Sequence, residues 1–140
     1  MEGFETCFEA GDHRFFDDLD YVVSVLPKTT HTENAIDAEA LQRLPPGSIL
    51  INIGRGNAID DNALLTALAN GSVGAAVLDV FREEPLPKSH PYWQQPNVYI
   101  TSHTSAPTLE RFVAQAMAPN LERFIAAKDL LGTFDVSKGY

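Results

Sequence analysis

Four residues far apart in the chain carry side chains suited to chemistry: Arg55, Asp79, Glu84 and His103. Arg55 stands between Gly54 and Gly56, directly after the apolar run Ile49-Leu50-Ile51-Asn52-Ile53. The glycines free the backbone to turn sharply there, so that a guanidinium, a planar fork of donors, can leave the strand end and point at a ligand. Asp79 closes a second apolar run, His103 follows a third, and Glu84 lies in the long loop after Asp79. Each has a plainer reading when taken singly. Arg55 would be a surface arginine in a strand-to-helix turn, Asp79 a cap for its loop, Glu84 a solvated turn residue beside Pro85, and His103 a loop histidine. An arginine, a carboxylate and a histidine converging on one rim is far less expected by chance than any one of them.

The elements that would bring them together read as strands alternating with helices. Tyr21–Leu26 is an apolar strand stopped by Pro27, and Lys28–Asn34 a threonine-rich loop. Ala38–Leu44 is a helix ended by Pro45-Pro46-Gly47, and Ser48–Ile53 the next strand. A helix restarts at Asp60-Asp61 with Leu64, Leu65 and Leu68 on one face and closes near Asn70-Gly71, the two acids being helix-start residues. Gly74–Val80 is a third strand and Val98–Thr101 a fourth. Phe81–Pro96 between them is a long proline-rich loop, packed down by Tyr92 and Trp93. A last helix spans about 107–127, started by Pro107, kinked at Pro119 and solvated along its charged face, with a tail after it. Before the first strand, Asp12–Leu19 reads as a short helix with Phe15, Phe16 and Leu19 inward. His13, His31 and His90 read as surface histidines. The pattern predicts an α/β fold whose parallel sheet has helices over its faces and binds ligands beyond the carboxyl ends of its strands.

Composition bounds the partners. A chain of 140 residues is long enough for one domain with a real core. Its formal charge of −9, without a basic cluster, argues against nucleic acid and anionic membranes, yet a local arginine can still dominate for a small anion. No apolar run approaches the ~20 residues of a spanning helix, and the start lacks the layout of a secretory signal. The single cysteine, Cys7, makes no internal disulfide and suits a reducing cytoplasm.

Several segments resemble the signatures of the NAD(P)-dependent D-2-hydroxyacid dehydrogenases. They are Asn52-Ile53-Gly54-Arg55-Gly56, Leu78-Asp79-Val80-Phe81-Arg82-Glu83-Glu84-Pro85-Leu86 and Thr101-Ser102-His103-Thr104-Ser105-Ala106, in that order and spacing. Leu26-Pro27-Lys28-Thr29-Thr30-His31-Thr32 resembles the family's strand–proline–threonine loop. The ending Phe134–Tyr140 is similar to the close of the glyoxylate/hydroxypyruvate reductase A branch. What the resemblance implies is a partial Rossmann-type parallel sheet of about four strands with flanking helices and a long carboxyl-terminal helix. Residues 1–106 would be the carboxyl-terminal half of a dinucleotide-binding domain. Residues 107–140 would be a helix and tail that pack on, or return to, a substrate domain.

The resemblance also implies roles. Reducing a 2-keto acid takes a hydride from a nicotinamide and a proton at the carbonyl oxygen. His103 would give that proton as general acid, Glu84 would orient the ring and favour its charged form, and Arg55 would grip the substrate carboxylate. Asp79 would accept from the nicotinamide carboxamide. Further cofactor contacts fall on the backbone of Leu26, Pro27, Ile53 and Gly54 and on the hydroxyls of Thr32 and Ser105. The cofactor would be NAD or NADP, NADPH being favoured by the branch, and no metal is implied. The substrate domain and glycine-rich GxGxxG turn of a complete member do not occur in this sequence. The expectations are therefore an open apolar edge at the first strand, self-association or a partner supplying the missing half, and weak activity of the isolated chain. The other reading is a non-catalytic interaction module built on that edge.

Overall fold

The computed structural model describes residue 8 and residues 11–135, so Cys7 and the last five positions lie outside the described residues. Four strands, β1 (Tyr21–Ser24), β2 (Ser48–Asn52), β3 (Val73–Leu78) and β4 (Val98–Ile100), form one sheet in the order β1-β2-β3-β4. Every pairing is parallel, with Val22 opposite Leu50, Leu50 opposite Ala76 and Ala76 opposite Val98. All four strands therefore end on the same side of the sheet.

Two crossovers are helical. Helix α1 (Ala38–Arg43) joins β1 to β2, and helix α2 (Asp61–Asn70) joins β2 to β3. Asp37 caps α1 by accepting from the Ala40 N–H, and Asp60 caps α2 by accepting from the N–H groups of Asn62 and Ala63. Gly71 ends α2 at φ 80°, the left-handed turn a glycine makes without steric penalty. The β3–β4 connection is a loop with one 3-10 turn, Pro91–Gln94.

The core lies on one face of the sheet. Val22, Leu50, Ala76 and Leu78 are buried there against Leu41 and Leu44 of the α1 segment and Leu64, Ala67 and Leu68 of α2. Each such leucine contributes about 1.5–3 kcal/mol by leaving water. The opposite face is barer: Tyr21, Val23 and Tyr99 are 64%, 53% and 61% exposed. The strands read as apolar on both sides, but among the described residues only one side is fully buried, Ile49, Ile51 and Val77 on the other being half-buried.

Local boundaries differ from the expectations for identifiable reasons. β1 stops at Ser24, two residues short of Leu26, because β2 leaves the ladder at Gly54; the last β1–β2 bond runs from the Ile53 N–H to the Ser24 carbonyl, 3.0 Å. The segment before β1 is a single 3-10 turn, His13–Phe16, which buries Phe16 but leaves Phe15 43% exposed. Tyr92 is buried and donates to Asp61, whereas Trp93 is exposed.

The chain divides into two compact units between His103 and Thr104. The second holds helix α3 (Glu110–Ile125), which begins three residues after Pro107 and runs through Pro119. Its apolar side chains Phe112, Met117, Leu121, Phe124 and Ile125 are all exposed.

Candidate active site

The rim at the carboxyl ends of β2, β3 and β4 is built from the backbone outward. At the end of β2, Asn52 is fully buried, and its side chain accepts from the Gly54 N–H at 3.1 Å and donates to the Arg55 carbonyl at 3.1 Å. The turn is thus shaped around one amide. The glycines on either side of Arg55 are not at positive φ; they are there because other backbone lies too close for a side chain. A Cβ on Gly54 would sit 2.6 Å from the Leu26 nitrogen, and one on Gly56 2.0 Å from the Phe81 carbonyl carbon. Close approach, rather than freedom to turn, explains both. Arg55 itself is extended, at φ −139° and ψ 145°, and its side chain is exposed.

Directly after β3, Asp79 is 2% exposed. Its N–H donates to the Asn52 carbonyl at 3.0 Å, its carbonyl accepts from the His103 N–H at 2.7 Å, and its carboxylate accepts from the Thr101 hydroxyl. One residue therefore ties the exits of β2, β3 and β4 together. His103 is held at φ 54°, a left-handed conformation uncommon for a residue with a Cβ.

Glu84 completes the arrangement. Its Oε1 accepts from the Phe81 N–H at 2.9 Å, and its Oε2 lies 2.8 Å from His103 Nδ1. The bond to His103, then the Phe81 N–H, and also the charge of Arg55, hold the Glu84 carboxyl below the usual glutamate range against the opposing effect of burial. Glu84 and His103 form the wall shared by two cavities. One, of about 380 Å³, is lined by Arg55, Lys28, Gly56, Glu84 and His103. The other, of about 410 Å³, is lined by Asp79, Leu86, Trp93, Ile100 and the same pair.

Arg55, Glu84, His103 and Asp79 thus meet at one end of the sheet. The remaining residues singled out from the sequence are spread more widely. The Thr32 hydroxyl donates to the Pro27 carbonyl at 2.6 Å and so closes its own loop. Leu26 and Thr32 line a third cavity, of about 290 Å³, with Phe16, Val22 and Ser24. The Ser24 hydroxyl is buried there without a hydrogen-bond partner among the described residues. Ile53 is at the margin of the sheet, and Ser105 is an exposed residue of the second unit. Sequence reasoning passed over Asn52 and Thr101, the two polar side chains that shape the rim. Asn52, as the one polar residue in an otherwise aliphatic strand, was the available signal.

A parallel sheet with its polar side chains gathered beyond the strand ends defines a Rossmann-type α/β protein. Residues 6–105 match the family described as D-isomer specific 2-hydroxyacid dehydrogenase, NAD binding domain, and the chain belongs to that family. Among curated relatives, the glyoxylate/hydroxypyruvate reductase A of Serratia proteamaculans (strain 568) is 38% identical over 126 residues, covering 90% of this chain and 40% of the relative. Among solved structures, the NADPH-dependent glyoxylate/hydroxypyruvate reductase of Sinorhizobium meliloti in complex with NADP and sulfate superposes with a TM-score of 0.90 at 32% identity, covering 100% of this chain and 46% of that one. A D-isomer specific 2-hydroxyacid dehydrogenase from Xanthobacter autotrophicus Py2, in complex with NADPH and MES, gives 0.86 at 37% identity, covering 91% and 53%. The chain spans about 40% of the length of the curated relatives it matches.

Proposed function

We propose that this chain supplies the proton-handling and substrate-gripping part of an NAD(P)-dependent 2-hydroxyacid dehydrogenase that reduces small 2-keto acids such as glyoxylate or hydroxypyruvate. The observation that carries the reading is the 2.8 Å Glu84–His103 pair standing in one cavity with Arg55. With Nδ1 engaged by Glu84, Nε2 is the nitrogen of His103 left to give a proton to a carbonyl oxygen, a role that contributes ~10²–10⁴-fold. The acceptor-only Glu84 carboxylate fixes the tautomer and offsets charge on the ring. Arg55 binds the keto acid's carboxylate by two parallel N–H donors and draws electron density from the neighbouring carbonyl.

The residues present fit a dinucleotide in part. A bound NAD(P)H would supply the hydride. Leu26 and Thr32, beside a Ser24 hydroxyl with no partner among the described residues, offer an apolar-walled recess, and Asp79, which lines the second cavity, would accept from an amide. The backbone of Pro27, Ile53 and Gly54 and the Ser105 hydroxyl are the further contacts in this reading. NADPH is the favoured form, because the similar solved proteins carry NADPH or NADP. Residues 107–140 would dock on a substrate domain through the exposed apolar stripe of α3, and the complete protein would work in the cytoplasm. The test is to supply the remainder of a relative in trans and follow glyoxylate-dependent NADPH consumption. The reading expects turnover that His103→Gln lowers by ~10²-fold or more. No turnover, with nicotinamide fluorescence unchanged on adding the chain, would overturn it.

One observation favours a second reading. β1 is an outer strand of the four-stranded sheet, its face residues Tyr21 and Val23 are more than half exposed, and a bare strand edge invites pairing with another chain. In that reading the protein is an interaction module that self-associates or takes a partner through β1. Association without any nicotinamide binding would favour it.

A further inference from the structure

Arg82 stands next to the site and is the most heavily bonded cation among the described residues. Its Nη1 lies 2.5 Å from Glu33 Oε1. Its Nη2 donates to the Asn57 carbonyl at 3.1 Å, to the Asn34 side chain and to the Ile59 carbonyl. Its Nε donates to the same Ile59 carbonyl at 3.1 Å and lies 3.7 Å from an oxygen of Asp61. The guanidinium therefore bonds to the loop before α1 and to the turn that follows Arg55, and reaches toward the first residue of α2. None of these partners is within twenty residues of Arg82 in sequence. The backbone that bears Arg82 is the turn from Phe81 to Glu84, whose Phe81 N–H holds Glu84 Oε1. That turn already presses on Gly56, where a Cβ would find the Phe81 carbonyl carbon at 2.0 Å.

We propose that Arg82 is a positioning residue: its fork locks the Phe81–Glu84 turn onto the Gly56–Ile59 turn, and so holds Glu84 against His103 and both in register with Arg55. This rests on reading Glu84 and His103 as the proton-handling pair. Arg82 touches neither substrate nor the reacting atoms in this role. A point charge would not replace it, because the guanidinium reaches its backbone and side-chain acceptors through three different nitrogens at once.

The measurement is the titration of the Glu84 side-chain carboxyl, followed by carbon NMR in the full 140-residue chain. Glu84 is held low chiefly by His103 and the Phe81 N–H, with the charge of Arg55 adding to them. Arg82→Met should move the Glu84 midpoint up toward the ordinary glutamate range. Arg82→Lys, which keeps a cation in place and so separates the loss of the fork from the loss of charge, should do the same. Asp17→Asn, which breaks a remote surface pair with Arg43, should leave it where it is. Should either Arg82 variant not fold, Glu33→Gln and Asn34→Ala remove single anchors at exposed positions, and together they should shift Glu84 upward by a smaller amount. An unmoved Glu84 in folded Arg82→Met, or a wild-type titration in Arg82→Lys, overturns the proposal. The readout needs no turnover, so failure of the proposed reductase activity would be seen separately.

Discussion

Glu84 Oε2 and His103 Nδ1 are 2.8 Å apart although nineteen residues separate them in sequence, and each is fixed from a different side. The carboxylate is held by the Phe81 N–H, and the imidazole by its own backbone bond to Asp79. The pair is thus set before any ligand arrives.

A carboxyl held below its ordinary range stabilises the fold fully above the unfolded-state value and loses that contribution as pH falls through the folded-state value. Glu84 is such a group. Wild type should therefore lose stability on the acid side of the ordinary glutamate range more steeply than Glu84→Gln does. Urea unfolding at stepwise lower pH checks this; parallel curves for the two proteins would mean the pair contributes nothing to folding.

Substitution at Arg55 should act on substrate binding and leave the fold alone, since the side chain is exposed. In the complemented enzyme, Arg55→Met removes a charged hydrogen-bonding partner of about 1.5–3 kcal/mol, so kcat/KM for a keto acid should fall roughly 10- to 100-fold or more. Arg55→Lys should recover only part of it. Steady-state kinetics against a keto acid and its uncharged amide would separate the carboxylate grip from general damage.

Gly56→Ala should be among the most damaging single-methyl changes in the chain. The added carbon would meet the Phe81 carbonyl group, main chain that cannot rotate away. Overpacking of this kind costs about 1–3 kcal/mol, and here it would also push the Glu84 loop away from the Arg55 turn. Gly71→Ala gives the contrast, because a methyl there meets open space and the cost is left-handed backbone strain alone. Denaturant midpoints, with the Glu84–His103 bond followed by NMR, would show the first variant losing both and the second only stability.

Asp60→Ala should cost about 0.5–2 kcal/mol, the usual loss for a helix N-cap, because two N–H groups of α2 lose their acceptor. Asp61→Ala should act through a different route, by releasing Tyr92, whose buried phenol donates to it at 2.8 Å. A double-mutant cycle would report whether the two effects add.

Strand positions and the helix start at Asp60 were legible because local pattern decides them: aliphatic runs, proline stops and an acidic cap. Parallel pairing then carried Arg55, Asp79 and His103 to one rim, since strand exits in such a sheet share a side. Glu84 was legible only through the family likeness; nothing in its immediate neighbours distinguishes it from a solvated loop acid. The ties that shape the rim were not legible, because they are long-range. Asn52 lay hidden in an apolar run, Thr101 at a strand end, and Arg82 finds its partners 23 to 49 residues away. The Asp12–Leu19 segment forms only one turn: Asp17 is already extended at ψ 135°, and Asp18 after it is left-handed at φ 60°, so no helix continues to Leu19.

The sheet's parallel arrangement leaves its two ends with unequal tolerance. Every contact that shapes the rim lies where strands finish, so lengthening any of those turns by one residue would misalign it. The connections entering β3 and β4, at Gly71–Ser72 and Gln95–Asn97, sit at the other end. Insertions, tags or a circularly permuted opening belong there, and a library of length variants should survive at those two joints while failing at residues 53–57 and 79–84.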